Sequence, residues 1–115
     1  PYAVLVVTKA SWLTEHREVA AKLVRALREG WTRYLADPAK YNVAIAKLNP
    51  AMSVEAMNIA AEKQRELVAP AGAGARTIGS MSSERWTTLA AQLQELGTIS
   101  KQPASIDAVF WNAPK

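Results

Sequence analysis

One histidine, His16, and a complete lack of cysteine bound the chemistry open to these 115 residues. Without a thiolate or a second imidazole, neither a disulfide framework nor a multi-histidine zinc site can be assembled. His16 has no carboxylate at metal-ligand or proton-relay spacing on its own helix face, so it reads as a surface linker residue. Ser80, Ser82 and Ser83 cluster, but no G-x-S-x-G elbow surrounds them, and helix capping accounts for Ser82. Gly72-x-Gly74, followed by Arg76 and Gly79, departs from the dinucleotide fingerprint and follows a helical pattern where that motif requires a strand. The carboxylates mostly lie one turn from a basic residue, as Glu18 does from Lys22 and Glu29 from Arg33, which is solvated helix pairing. The expectation is a protein that is not an enzyme, with no catalytic residue, no metal site and no cofactor.

Binding chemistry has more material. Arg17, Lys22, Arg25, Arg28 and Arg33 share one helix face, a pattern that can lie along phosphates or an acidic partner. Glu18 and Glu29 interrupt that face, and the aromatic residues fall on the opposite side, away from where bases would stack, which argues against nucleic acid. Of the four tryptophans, Trp31 and Trp86 fall on apolar helix stripes and read as core, whereas Trp12 follows an apolar run closely. In open α/β sheets, ligands gather at the C-terminal ends of strands. Tyr2, Thr8 and Trp12, around the strand read below, are therefore the expected ligand-binding residues.

The element that would position them is Val4–Val7, inside Tyr2-Ala3-Val4-Leu5-Val6-Val7-Thr8. It reads as a β-strand apolar on both faces. Such a strand needs paired neighbours, and the rest of the chain reads as helix, so the chain looks like part of something larger. Ser11 is expected to cap a short turn. From Arg17 to Ala36 the positions Val19, Ala20, Leu23, Val24, Leu27, Trp31, Tyr34 and Leu35 make one apolar helix stripe. Gly30 inside it costs about 1 kcal/mol relative to alanine, so either a neighbouring element approaches closely there or the helix bends, and close approach is expected because Trp31 and Tyr34 continue the stripe.

Asp37-Pro38 ends that helix and starts the next, whose expected buried stripe is Tyr41, Ala44, Ile45 and Leu48. Ser53 is expected to cap a third helix through Met57, Ala60, Ala61, Gln64, Leu67 and Val68. Residues 69–80 read as a flexible loop. A further helix follows from the cap Ser82, with Met81 placed to staple on Trp86 and a stripe of Trp86, Leu89, Ala90, Leu93 and Leu96. Gly97 supplies its left-handed terminus. A short turn capped by Ser105 carries Ile106, Val109, Phe110 and Trp111.

Half of the residues are hydrophobic and 21% are charged, with a net charge of +4, which suits one folded segment over residues 1–115. No apolar stretch approaches the roughly 20 residues that a membrane-spanning helix needs. Pro1 opens the chain with no charged n-region or cleavage site, so a targeting peptide is expected upstream or not at all.

This order of punctuation resembles the C-terminal part of the substrate-binding proteins of ABC importers in the nitrate, sulfonate, taurine and thiamine-precursor family. The residues that carry the resemblance are Val4-Leu5-Val6-Val7-Thr8, then Glu18-Val19 with Ala26-Leu27 and Gly30, Asp37-Pro38, Asn49-Pro50, Met81-Ser82-Ser83-Glu84-Arg85-Trp86, Leu96-Gly97, and Ile106-Asp107 ahead of Phe110. Ser83 stands where such proteins often have proline.

The resemblance implies an α/β parent of the periplasmic-binding-protein-like type II fold. This chain would be a mostly α segment of its first lobe, one N-terminal strand followed by four or five helices. The parent would be a two-lobed clamp, periplasmic or otherwise extracytoplasmic, that captures a small-molecule solute and delivers it to an ABC permease. A homodimer through the N-terminal strand is a further expectation. The alternative is an independent helical interaction domain whose basic helix face binds nucleic acid or an acidic protein partner.

Overall fold

A computed structural model describes residues 5–69 and 78–114. Five α-helices follow one another: α1 (Ala10–Glu15), α2 (Arg17–Ala36), α3 (Pro38–Leu48), α4 (Val54–Val68) and α5 (Ser83–Glu95), with a 3-10 turn at Ile106–Ala108. The chain divides into two compact units, Arg17–Gly79 and Pro1–His16 with Ser80–Lys115.

The expected N-terminal β-strand is not there, and with it the α/β reading of the fold is corrected: the described residues are helical and contain no strand. Leu5, Val6 and Val7 belong to no ladder and are 42%, 65% and 84% exposed, while Tyr2, Ala3 and Val4 lie outside the described residues. The reason is cooperative. Strand geometry is held by inter-strand hydrogen bonds, and no other described segment offers a partner, so β-branched composition alone does not hold an extended ribbon in place. The expected dimer through strand pairing loses its structural premise.

Within Arg17–Gly79 the helix boundaries follow local chemistry. The Asp37 carboxylate accepts the Lys40 N–H at 3.3 Å while Pro38 fills the first turn of α3, and Ser53 Oγ accepts the Ala56 N–H at 3.1 Å to open α4. α3 packs on α4 and against α2. The core is Ala20, Ala21, Leu35, Met57, Ala61 and Ile78. Arg65 Nη2 donates to Leu35 O at 2.7 Å, where the C-terminal end of α2 leaves carbonyls without helical partners. Of the loop expected over 69–80, residues 70–77 lie outside the described residues. Ile78, by contrast, is buried, and its carbonyl accepts from Arg28 Nε at 3.0 Å.

The single apolar face expected of α2 is split, with Val19, Leu23 and Leu27 exposed while Ala20 and Leu35 are buried, and two further expectations fail in this unit. The α3 stripe Tyr41, Ala44, Ile45 and Leu48 does not face inward as a set: Ile45 and Leu48 are exposed, and the one fully buried residue of α3 is Asn42. Gly30 meets no close neighbour either, since a β-carbon placed there would find nothing within 4 Å. Gly30 instead lies on the flank of α2 shared by Val19, Leu23 and Leu27, all three exposed.

In the other unit α1 begins at Ala10, so Ser11 lies inside the helix and Lys9 occupies the cap position without a side-chain bond. Ser82 does cap α5, accepting from Arg85 N at 3.3 Å. Gly97, at φ 70°, turns the chain so that the Thr98 N–H reaches Leu93 O at 2.9 Å, closing the helix as its left-handed residue should. The residues after α5 then return to its start. Met81 N donates to Asn112 Oδ1 and Asn112 Nδ2 to Met81 O, both at 2.8 Å, so one carboxamide satisfies both backbone groups of Met81. Ser83 Oγ donates to Asp107 Oδ1 at 2.5 Å, and the Trp86 and Phe110 rings stack with centroids 6.2 Å apart. Ser105 precedes the 3-10 turn without a side-chain cap bond.

Candidate functional site

Three residues were singled out by their place beside an expected strand. Tyr2 lies outside the described residues, Thr8 is exposed just before α1, and Trp12 sits on α1 at 38% exposure. Trp12 is engaged by its own helix: the His16 ring stacks on it at 4.8 Å between centroids and 10° between planes. His16 Nδ1 and the His16 N–H both bond Trp12 O, at 3.0 and 2.9 Å. This arrangement closes α1 and explains the histidine without invoking catalysis. Among the described residues no hydrogen bond or ring contact joins Thr8 to Trp12, and the sheet end that motivated the choice is absent.

The basic face of α2 is neutralised in part, because Lys22 pairs with Glu18 at 2.8 Å and Arg33 with Glu29 at 2.5 Å. Both pairs are well exposed, so each stabilises the helix by only about 0.3–0.5 kcal/mol, but each offsets one cation of the face with one anion. Arg28, turned to Ile78 O, is also withdrawn from the face. A phosphate-tracking helix needs those cations facing outward together.

A polar relay that joins three helices was not marked by the sequence reading. Tyr34 on α2 donates its hydroxyl to Asn42 Oδ1 at 3.0 Å, and Asn42 Nδ2 on α3 donates to Asn58 Oδ1 on α4 at 2.8 Å. Asn42 is fully buried and satisfied on both sides, whereas an unpartnered buried amide would cost several kcal/mol. Tyr34 also touches Trp31 and Tyr41 through ring contacts of 5.8 and 6.3 Å. Asn58 lines an open cleft of about 360 Å³ together with Pro38, Ala39, Ile59 and Glu62. The cleft offers an apolar floor, one carboxamide and one carboxylate, and no nucleophile with a base beside it. Periodicity held no signal for Asn42, which lies one step off the apolar stripe of α3.

Among the described residues no group of histidine, cysteine, aspartate or glutamate could hold a metal ion, and no helix is long and apolar enough to cross a membrane. Compared with protein-family models, curated proteins and solved structures, the chain finds no match.

Proposed function

We propose that this chain forms part of the solute-binding component of an ABC importer, capturing a small organic or oxyanionic nutrient of the nitrate, sulfonate, taurine or thiamine-precursor class for a membrane permease. The observation that carries the reading is the uncovered apolar flank of α2, where Val19, Leu23 and Leu27 are 53%, 46% and 41% exposed and Gly30 has open space beside it. A helix apolar on this flank as well as on the one facing α3 has a second surface for another element to cover, as a chain that is part of a larger clamp requires.

The order of punctuation supports it further. Glu18 lies in the first turn of α2, Asp37-Pro38 opens α3, Asn49-Pro50 follows it, Ser82 caps α5, and Leu96-Gly97 closes α5. The opening mark of the resemblance, the strand, is lost. On this reading the chain supplies scaffold, affinity comes from closure of two lobes around the solute, and transport energy comes from a separate ATPase.

The natural full-length polypeptide carrying these residues tests it by titration calorimetry against nitrate, taurine, an aliphatic sulfonate and a hydroxymethylpyrimidine. One-to-one binding of one class is expected. Heat of dilution alone across all four refutes the assignment.

A further inference from the structure

The buried face of α3 is the wrong one by apolar burial alone. The helix carries Tyr41, Ala44, Ile45 and Leu48 along one stripe, yet Asn42 occupies the interior while Ile45 is 41% and Leu48 87% exposed. The inward direction is displaced by one residue step, roughly 100° about the helix axis, from the direction that the apolar residues define. The alternative that apolar burial alone would favour has α3 rolled by one step, with Ile45 and Leu48 turned in and Asn42 turned out to water.

We infer that the Tyr34–Asn42–Asn58 relay is a register latch: it selects the observed rotation of α3 between α2 and α4 against the rolled, more apolar alternative. Its geometry suits that task. Each of the three helices contributes one member, the two bonds of 3.0 and 2.8 Å are inside normal hydrogen-bond range, and the central amide has its oxygen committed to α2 and its nitrogen to α4. A buried, satisfied hydrogen bond adds little net stability, but an amide buried without its partners is heavily penalised. The relay thus discriminates through what its failure would cost. A roll by one step breaks both bonds at once, and solvation of Asn42 is the only release. This is the role that a single buried polar residue plays where it fixes helix register.

The chain contains no cysteine, so a reporter thiol can be placed cleanly. In a Leu48→Cys background, thiol labelling is fast while the latch holds, because position 48 is exposed. Cutting the relay with Tyr34→Phe and Asn58→Ala is expected to slow labelling by at least about tenfold, as protection within a packed face requires, with helical circular dichroism retained. Adding Asn42→Leu to the cut variant should restore fast labelling, because an apolar residue at 42 favours the observed rotation without any latch.

Unchanged labelling in the cut variant, with helicity retained, overturns the inference. Failure of Asn42→Leu to reverse the slowing overturns it too, since mere loosening of the core would not be rescued that way. If the double cut unfolds the protein, Tyr34→Phe alone, which keeps the ring and removes one hydroxyl, is read by the same criterion.

Discussion

Asn112 gives the sharpest energetic prediction, because one side chain makes two hydrogen bonds of opposite sense to one backbone residue. Asn112→Ala removes the acceptor for Met81 N and the donor to Met81 O, each bond being 2.8 Å long. A net value of about 0.5–1.5 kcal/mol per bond applies, and because Asn112 is exposed, water replaces both bonds and the low end holds. The expected loss is about 1 kcal/mol, or a Tm lower by about 5 °C for a domain of this size.

Asn112→Asp separates the two bonds. The carboxylate still accepts from Met81 N, but its other oxygen now faces Met81 O as a second acceptor, and that repulsion opposes the gain of about 0.3–1 kcal/mol from its charge near the N-terminal end of α5. The aspartate variant should therefore keep the Met81 N–H bonded, which the alanine variant cannot do. Urea unfolding followed by tryptophan fluorescence gives the totals, and hydrogen exchange at the Met81 amide gives the local effect, with protection lost in the alanine variant and kept in the aspartate one. Equal protection of the Met81 amide in the two variants, or no loss of stability for alanine, would refute the bidentate account.

Other changes follow from single observations. Gly97→Ala places a β-carbon at φ 70° and should cost about 1–2 kcal/mol by denaturant unfolding, since left-handed backbone opposes any side chain. Gly30→Ala should stabilise the 115-residue chain by about 0.5–1 kcal/mol in denaturant unfolding, because the new methyl meets nothing. Arg65→Met leaves the Leu35 carbonyl without its 2.7 Å donor and should destabilise by about 1–3 kcal/mol in thermal melts.

The helices were legible because their signals are local. Asp37, Ser53 and Ser82 act through hydrogen bonds three residues away, and Gly97 through its own φ, so sequence spacing carries the whole interaction. The strand was not legible because pairing is nonlocal: Leu5-Val6-Val7 has the composition of a buried strand, but composition does not supply a ladder partner. The rotation of α3 failed for a related reason. Counting apolar positions weighs Ile45 and Leu48 but cannot see that Tyr34 and Asn58, eight and sixteen residues from Asn42, meet it in the interior. At the candidate site the choice of Thr8 and Trp12 depended on that missing strand, whereas the His16 stack that occupies Trp12 follows from i,i+4 spacing and could have been read in advance.

Covalent side-chain footprinting by hydroxyl radicals at Val19, Leu23 and Leu27 tests the two-layer account of α2 most directly, comparing the 115-residue chain with the longer importer polypeptide that the proposed function requires. The account predicts strong modification of all three side chains in the short chain and protection of all three in the long one. Equal modification in both would contradict it, leaving α2 a surface helix with no second layer to meet.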